Sequence, residues 1–243
     1  MRKTWCAAFA VCLVLGPARA EDKGEPMALV NKAIKAAGGA DKLTKFQAQT
    51  WKEKGTYYGM GEGLPYTATN AVQWPDKYSM NIHGYFVIVL NGNKGWMKPE
   101  GAEAMEMQKE QLEEQMESHY GGWVSSLLPL KGKDFTLTAL DETKVDGKPA
   151  SGIKVAHKGH GDVSLWFDKD SGLLVKSAQR LKSAQQGGKE VLHEGFFSNY
   201  QAVQGVQIPM KIVVNQDGKK LVEAENHDVK LAEKLDDKTF AKP

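Results

Sequence analysis

The sequence predicts a mainly β, α+β fold, in which a large antiparallel sheet is accompanied by a few helices. Three observations carry this. Runs rich in aromatic and β-branched residues recur along most of the chain, separated by Gly, Pro, Asn and Asp. The connections between them are too short for helical crossovers, so neighbouring strands must run antiparallel. Helical texture is confined to a segment ahead of the first strands and to one insertion among them. At 243 residues, 41% of them hydrophobic, the chain is long enough to bury a substantial core.

The first twenty residues read as an address rather than as structure. Arg2 and Lys3 precede an apolar run from Trp5 to Leu15 that ends at Ala18-Arg19-Ala20, the pattern of a secretory signal with an A-x-A cleavage site. This predicts cleavage after Ala20 and an exported, periplasmic protein made of one domain over residues 21–243. The run is too short to span a bilayer, and no later stretch approaches the ~20 apolar residues that a spanning helix needs. Both cysteines, Cys6 and Cys12, lie in this segment, so the remainder can form neither a disulfide nor a thiolate metal site. A lipid-modified Cys12 would leave almost no apolar region ahead of it. The chain has 32 basic and 30 acidic residues, and three of the basic ones (Arg2, Lys3, Arg19) belong to the signal; without them the formal charge changes from +2 to −1. That balance lacks the electrostatic footprint of a nucleic-acid binder.

The elements follow in order. Leu29, Val30, Ala33, Ile34 and Ala37 recur at helical spacing until Gly38-Gly39, which predicts an amphipathic helix with a glycine stop and a short helical turn at 41–45. From Thr50 to Lys98, strand-like runs are punctuated by Gly59 to Gly63, Pro75-Asp76, His83-Gly84 and Asn91-Gly92. Pro99 to Tyr120 is rich in Glu, Gln and Met, with Met105, Leu112, Met116 and Tyr120 on roughly one face; a helix is expected there. Gly121-Gly122 is expected to interrupt it, ahead of a short apolar piece with Trp123, Val124, Leu127 and Leu128, ended by Pro129. Strands then resume at 135–140, 152–158, 163–167, 173–181, 190–200, 206–214 and 221–229. Val206, Ile208, Met210, Ile212 and Val214 alternate with Gln207, Pro209 and Lys211, the mark of a strand with one buried face.

No catalytic constellation emerges. Asp168-Lys169-Asp170-Ser171-Gly172 begins like a calcium loop, but the glycine falls at position five and Gln179 stands where a bidentate glutamate is needed, so a hairpin turn is expected. His157 and His160 suit a solvated turn between strands better than a metal-binding helix face. No G-x-S-x-G is present, Gly59 to Gly63 does not open a helix, and Glu110 to Glu117 reads as a solvated helix face. The expectation is a non-enzymatic protein without metal or cofactor. Methionines cluster at Met97, Met105, Met107 and Met116, where they could fill a core or line a cavity for guests of variable shape.

Several stretches carry a likeness in chain order: Trp74-Pro75-Asp76-Lys77-Tyr78; Leu90-Asn91-Gly92-Asn93-Lys94-Gly95-Trp96 with Pro99; Phe167 to Leu173; Tyr200 through Val203-Gln204-Gly205-Val206-Gln207-Ile208-Pro209; and Leu235-Asp236-Asp237-Lys238-Thr239-Phe240 with Pro243. Together they resemble the LolA/LolB-type family of periplasmic lipoprotein and lipid carriers, in a distant, outer-membrane lipoprotein-sorting-like branch. The resemblance implies an incomplete antiparallel barrel curved around helices, with an apolar cavity for acyl chains. LolA-type carriers have an arginine just before the turn proline, and here that position is Trp74, so that arginine's role in lid control is not carried over.

The expected function is thus an exported carrier or binding protein for the acyl chains of lipids or lipoproteins. The 101–120 helix would act as a lid, with Met105, Leu112, Met116, Trp123 and Leu127 facing Ile208, Met210 and Ile212 across the cavity. The alternative is an envelope interaction or stress-sensing module of the same fold, its interior filled and its partner an envelope membrane protein.

Overall fold

The computed structural model describes residues 24–243; the signal segment, Cys6, Cys12 and the cleavage point after Ala20 lie outside the described residues. Helix α1 (Gly24–Ala36) buries Val30, Ala33 and Ile34, the stripe its spacing predicts. Gly38 ends it with φ 125°, and a Cβ there would lie 2.4 Å from the Gly205 carbonyl oxygen. Only glycine lets the chain turn this close to another backbone. Helix α2 (Ala40–Lys45) follows.

The strands are β1 (Ala48–Tyr57), β2 (Leu64–Gln73), β3 (Lys77–Ile82), β4 (Phe86–Asn91), β5 (Lys94–Pro99), β6 (Met105–Glu106), β7 (Phe135–Val145), β8 (Lys148–His157), β9 (Val163–Asp168), β10 (Leu174–Ser183), β11 (Lys189–Val203), β12 (Val206–Gln216) and β13 (Lys219–Ala232). They form one sheet in the order β6-β5-β4-β3-β2-β1-β13-β12-β11-β10-β9-β8-β7. Each arm is a run of hairpins, and β1 pairs antiparallel with β13 to join them. The edge strands β6 and β7 do not meet, so the result is an open antiparallel sheet, an incomplete barrel. Beside Lys52, β13 carries an irregularity with Asp228 at φ 51°. Such bulges sharpen local twist, which a curving sheet requires.

Helix α3 (Lys109–Ser125) departs from the sequence reading at both ends. It starts ten residues later than Pro99, because the intervening chain adds the short edge strand β6 and buries Met107 against Ile88 and Leu90. It also runs straight through Gly121-Gly122. A Cβ on Gly121 would meet the Gln179 side chain at 1.9 Å, and one on Gly122 would lie 3.2 Å from Trp74. These glycines are there to let the helix approach the sheet, an advantage that outweighs their poor helix propensity. A 3-10 turn, Leu128–Lys131, buries Pro129 and Leu130.

The main core lies on the concave face, where α1, the end of α3 and Leu130 pack on Ile153, Val155, Leu165 and Phe167. A second cluster lies on the convex face of the other arm. There the C-terminal 3-10 turn, Asp237–Phe240, lays Phe240 on Ala71 and Val89. Both faces of β2 and β4 are therefore covered.

Asp168 and Gly172 form the hairpin turn between β9 and β10. The Asp168 carboxylate accepts hydrogen bonds from the backbone N–H and the hydroxyl of Ser171, both at 2.7 Å, which hold it below the usual carboxylate range. The Gly172 N–H donates to the Asp168 carbonyl at 2.8 Å. That carboxylate serves the turn. Among the described residues no group of three or more His, Cys, Asp or Glu side chains could hold a metal ion, and no helix is long and apolar enough to cross a membrane.

Candidate functional site

The concave face leaves a hollow of about 560 Å³ between the sheet and α1, α2 and α3. Its origin is visible in the strand register. Ser177 on β10 pairs with Gly195 on β11, which pairs with Val214 on β12. Two of these three inward positions carry almost no side chain. The neighbouring pair, Phe197 and Ile212, is large, and so are Trp51, Tyr78 and Ile88 on the opposite arm, all of which line the hollow. The Phe197 ring leans over Gly195, where a Cβ would lie 3.1 Å from it, so this glycine makes room for the ring and the hollow lies beyond the small row.

Helix α3 covers this hollow and is tied down by its acidic residues. Glu114 accepts the Ala184 N–H at 2.9 Å. Glu117 holds His160 Nδ1 at 2.7 Å and the Gly161 N–H at 3.3 Å, while its carbonyl accepts from Gln179 Nε2 at 3.4 Å. Glu110 and Glu113 are exposed, as a solvated face predicts, but Glu114 and Glu117 are half-buried fasteners. The turn at His157 and His160 is likewise more than solvated: His160 stacks on Tyr120 at 3.8 Å between centroids, and His157 stacks on Phe135 at 4.5 Å. Burial pushes the Tyr120 phenol up to about 12, so its hydroxyl stays protonated.

On the same helix His119 stacks against Trp74 at 4.9 Å and leans on Tyr78 at 5.9 Å. Trp74, at the position where the resemblance leads one to look for arginine, is thus an aromatic platform under the helix. Burial lowers the His119 pKa to about 4, opposed only in part by the Pro75 carbonyl and Asp76. The folded state therefore holds His119 neutral at any pH well above 4, whereas the unfolded chain protonates it near 6.5. Between these values the unfolded state binds the extra proton, so stability falls with acidification, by about 3 kcal/mol from this group between pH 7 and pH 4. His119→Phe keeps a ring against Trp74 and removes the titration. Urea unfolding at pH 7 and pH 4.5 should show a smaller loss of stability in this variant than in the wild type. Equal losses would refute the assignment.

The structure separates the residues singled out in the sequence. Leu127 and Ile208, both buried, and Ile212, half-buried, come together at the hollow. The other five lie elsewhere. Met210 is on the same face of β12 but packs with Val206, Ile208 and Phe46. Trp123 meets Phe135 and Tyr120 edge-on at 5.9 and 6.2 Å. Leu112 packs beside Met107. Met116 is 37% exposed, and Met105 is 58% exposed on the edge strand β6. Lining residues not anticipated from the sequence include Trp74, Tyr78, His119, Gln179, Phe197 and Asn226.

No protein-family model matches the chain, and no curated protein matches it. Its fold is similar to that of three solved structures. A LolA superfamily protein from Nitrosomonas europaea is 14% identical, with a TM-score of 0.58 over 89% of this chain and 97% of that one. A DUF1329 family protein from Desulfovibrio piger is 12% identical, with a TM-score of 0.60 over 89% and 97% of the two chains. A protein domain from Vibrio parahaemolyticus, described as outer-membrane lipoprotein-sorting, is 11% identical, with a TM-score of 0.57 over 88% and 97%. At these identities the likeness establishes the fold: the chain has the LolA-like architecture.

Proposed function

We propose that this chain is an exported, non-enzymatic carrier or binding protein that shelters acyl chains of lipids or lipoproteins in the hollow under α3. The observation that carries the reading is the hollow itself, about 560 Å³ on the concave face, walled by Leu127, Ile208, Ile212, Phe197 and Trp74. This volume lies within the range of small-molecule sites. Removing hydrocarbon from water is the driving force: at ~0.8 kcal/mol per buried methylene, a chain of a dozen carbons gains roughly 10 kcal/mol before the costs of association. The likeness to a lipoprotein-sorting domain supports the same reading. The alternative, an envelope interaction module with a filled interior, is disfavoured by the open space.

Native mass spectrometry of the purified protein should show copurifying lipid, and the delipidated protein should take up a fluorescent fatty acid with saturable, one-site behaviour. Absence of both would overturn the proposal. Capture of a single envelope partner by protein that takes up no lipid would favour the interaction module.

A further inference from the structure

We propose that β7 is the edge through which this chain pairs with a second copy of itself, the two β7 strands running antiparallel about a twofold axis at Leu137. The proposal goes beyond the carrier reading and does not depend on it.

The two ends of the sheet are not alike. At one end β6 has only two residues, one of them Glu106, and β5 beside it finishes in Lys98-Pro99. Short strands, charges and proline are the usual devices that keep a sheet edge from pairing with another chain. At the other end β7 runs for 11 residues. Its first part, Phe135-Thr136-Leu137-Thr138-Ala139-Leu140, holds no charge, proline or glycine and favours the strand conformation. β8 takes one side of this stretch in unbroken register, and among the described residues no backbone hydrogen bond joins the other side to any element. Charge and irregularity arrive together at Asp141-Glu142, where the β7–β8 register shifts.

Apolar side chains stand half-buried on both faces of this edge. Phe135 and Leu137 lie on the concave side against the main core. Leu140 lies on the convex side opposite Gly152, which in turn pairs with the half-buried Trp166. A strand added alongside would take further apolar surface from water on both faces and would pair the free N–H and C=O groups.

The sequence around Leu137 selects a second copy as that strand. An antiparallel pair related by a twofold axis normal to the sheet sets inward residues against inward ones, so one residue faces its own counterpart. With Leu137 on the axis, Phe135 faces Ala139 and Leu137 faces Leu137 on the concave side, while Thr136 faces Thr138 on the other. The ring then has a small neighbour, and threonine pairs are favourable across strands. The flanks agree in charge. Lys133, in the turn ahead of β7, comes beside Asp141 of the other copy, and symmetry repeats the contact. Both side chains are exposed, and among the described residues neither forms an ion pair within the chain. Asp134 meets Leu140, so no like charges are directly opposed. A register centred on Thr138 would instead set Asp134 against Glu142, which disfavours it. In the dimer the two concave faces lie on the same side of the joined sheet.

Sedimentation velocity of the purified protein at low ionic strength should show a monomer–dimer equilibrium in the micromolar range, because one strand pair buries less than a standard interface. Lys133→Glu and Asp141→Lys change exposed side chains outside the core. Each alone turns both symmetry-related attractions into repulsions and should weaken the dimer roughly tenfold or more. An equimolar mixture of the two variants restores both attractions and should recover the wild-type association. Amide hydrogen exchange in 135–139 should slow in the dimer relative to the monomer. A wild type that stays monomeric up to about 0.2 mM overturns the proposal. So do single variants that dimerise as the wild type does, a mixture that stays monomeric, or exchange in 135–139 that ignores association.

Discussion

Phe240→Ala should destabilise the protein by about 3–5 kcal/mol, although the residue stands near the chain's last position, because truncating a fully buried aromatic ring leaves a void that neighbours fill only in part. Residues near a terminus are ordinarily expendable unless something ties them down. Here several things do. Phe240 is 0% exposed against Ala71 and Val89, with Val87, Trp96 and Leu235 around it. Its carbonyl accepts from Asn91 Nδ2 at 3.1 Å, the Leu235 N–H donates to Gln73 at 2.9 Å, and Lys77 pairs with Asp237 at 2.9 Å. Asp236 caps the turn by accepting the Lys238 N–H at 2.9 Å. The segment closes the convex side of β2 and β4 and keeps their outward apolar residues from water. Thermal unfolding should show a drop of roughly 10 °C for a chain of this size. Lys242→Ala, on an exposed side chain just beyond, should lie within about 0.5 kcal/mol of the wild type. A Phe240→Ala protein as stable as the wild type would mean that the turn does not dock there.

The fold was legible wherever local pattern and tertiary demand agree. The alternation from Val206 to Val214 is a strand with buried Val206, Ile208 and Met210, and the turn chemistry of Asp168 to Gly172 is a hairpin. The turn signal at Asn91-Gly92 does close a hairpin, with Asn91 pairing Lys94 and Gly92, at φ 61°, as the first residue of the two-residue loop. Legibility fails where a residue answers to a partner far away in sequence. Gly121-Gly122 looks like a helix break, but the partners that make glycine necessary are Gln179 and Trp74. The reach of the helical pattern back to Pro99 was a matter of composition, since a methionine-rich run does not show that Met107 is needed beneath Leu90. The same holds for the hollow. The most conspicuous apolar side chains, Trp123 and Met210, are core because they are large and find neighbours. The hollow lies beside Ser177 and Gly195, two residues unremarkable in isolation that only strand register brings together and over which the Phe197 ring leans.

Filling that space is expected to have the largest effect on ligand uptake. Ile212→Trp enlarges a half-buried wall residue, and Ser177→Leu adds bulk to the small row opposite. If the new side chain displaces three methylenes of a bound tail, each worth ~0.8 kcal/mol, affinity falls roughly fiftyfold. Because the added atoms enter a void, the overpacking penalty seen in filled cores should be small, and stability should change by no more than about 1 kcal/mol. A bulky change on the outward side of the sheet controls for probe adhering to added aromatic surface. Glu225→Trp serves, since Glu225 is exposed and points away from the hollow between inward Ala224 and Asn226. Fluorescent fatty-acid titration of the three variants should give a large loss for Ile212→Trp and Ser177→Leu and none for Glu225→Trp. Unchanged affinity in the filled variants, with folding intact, would place the tail outside the concave face and remove the physical basis of the carrier reading. A loss of affinity that grows with the length of the acyl probe would show that the hollow measures its guest by volume, since a longer tail has more methylenes to lose to the same intruding ring.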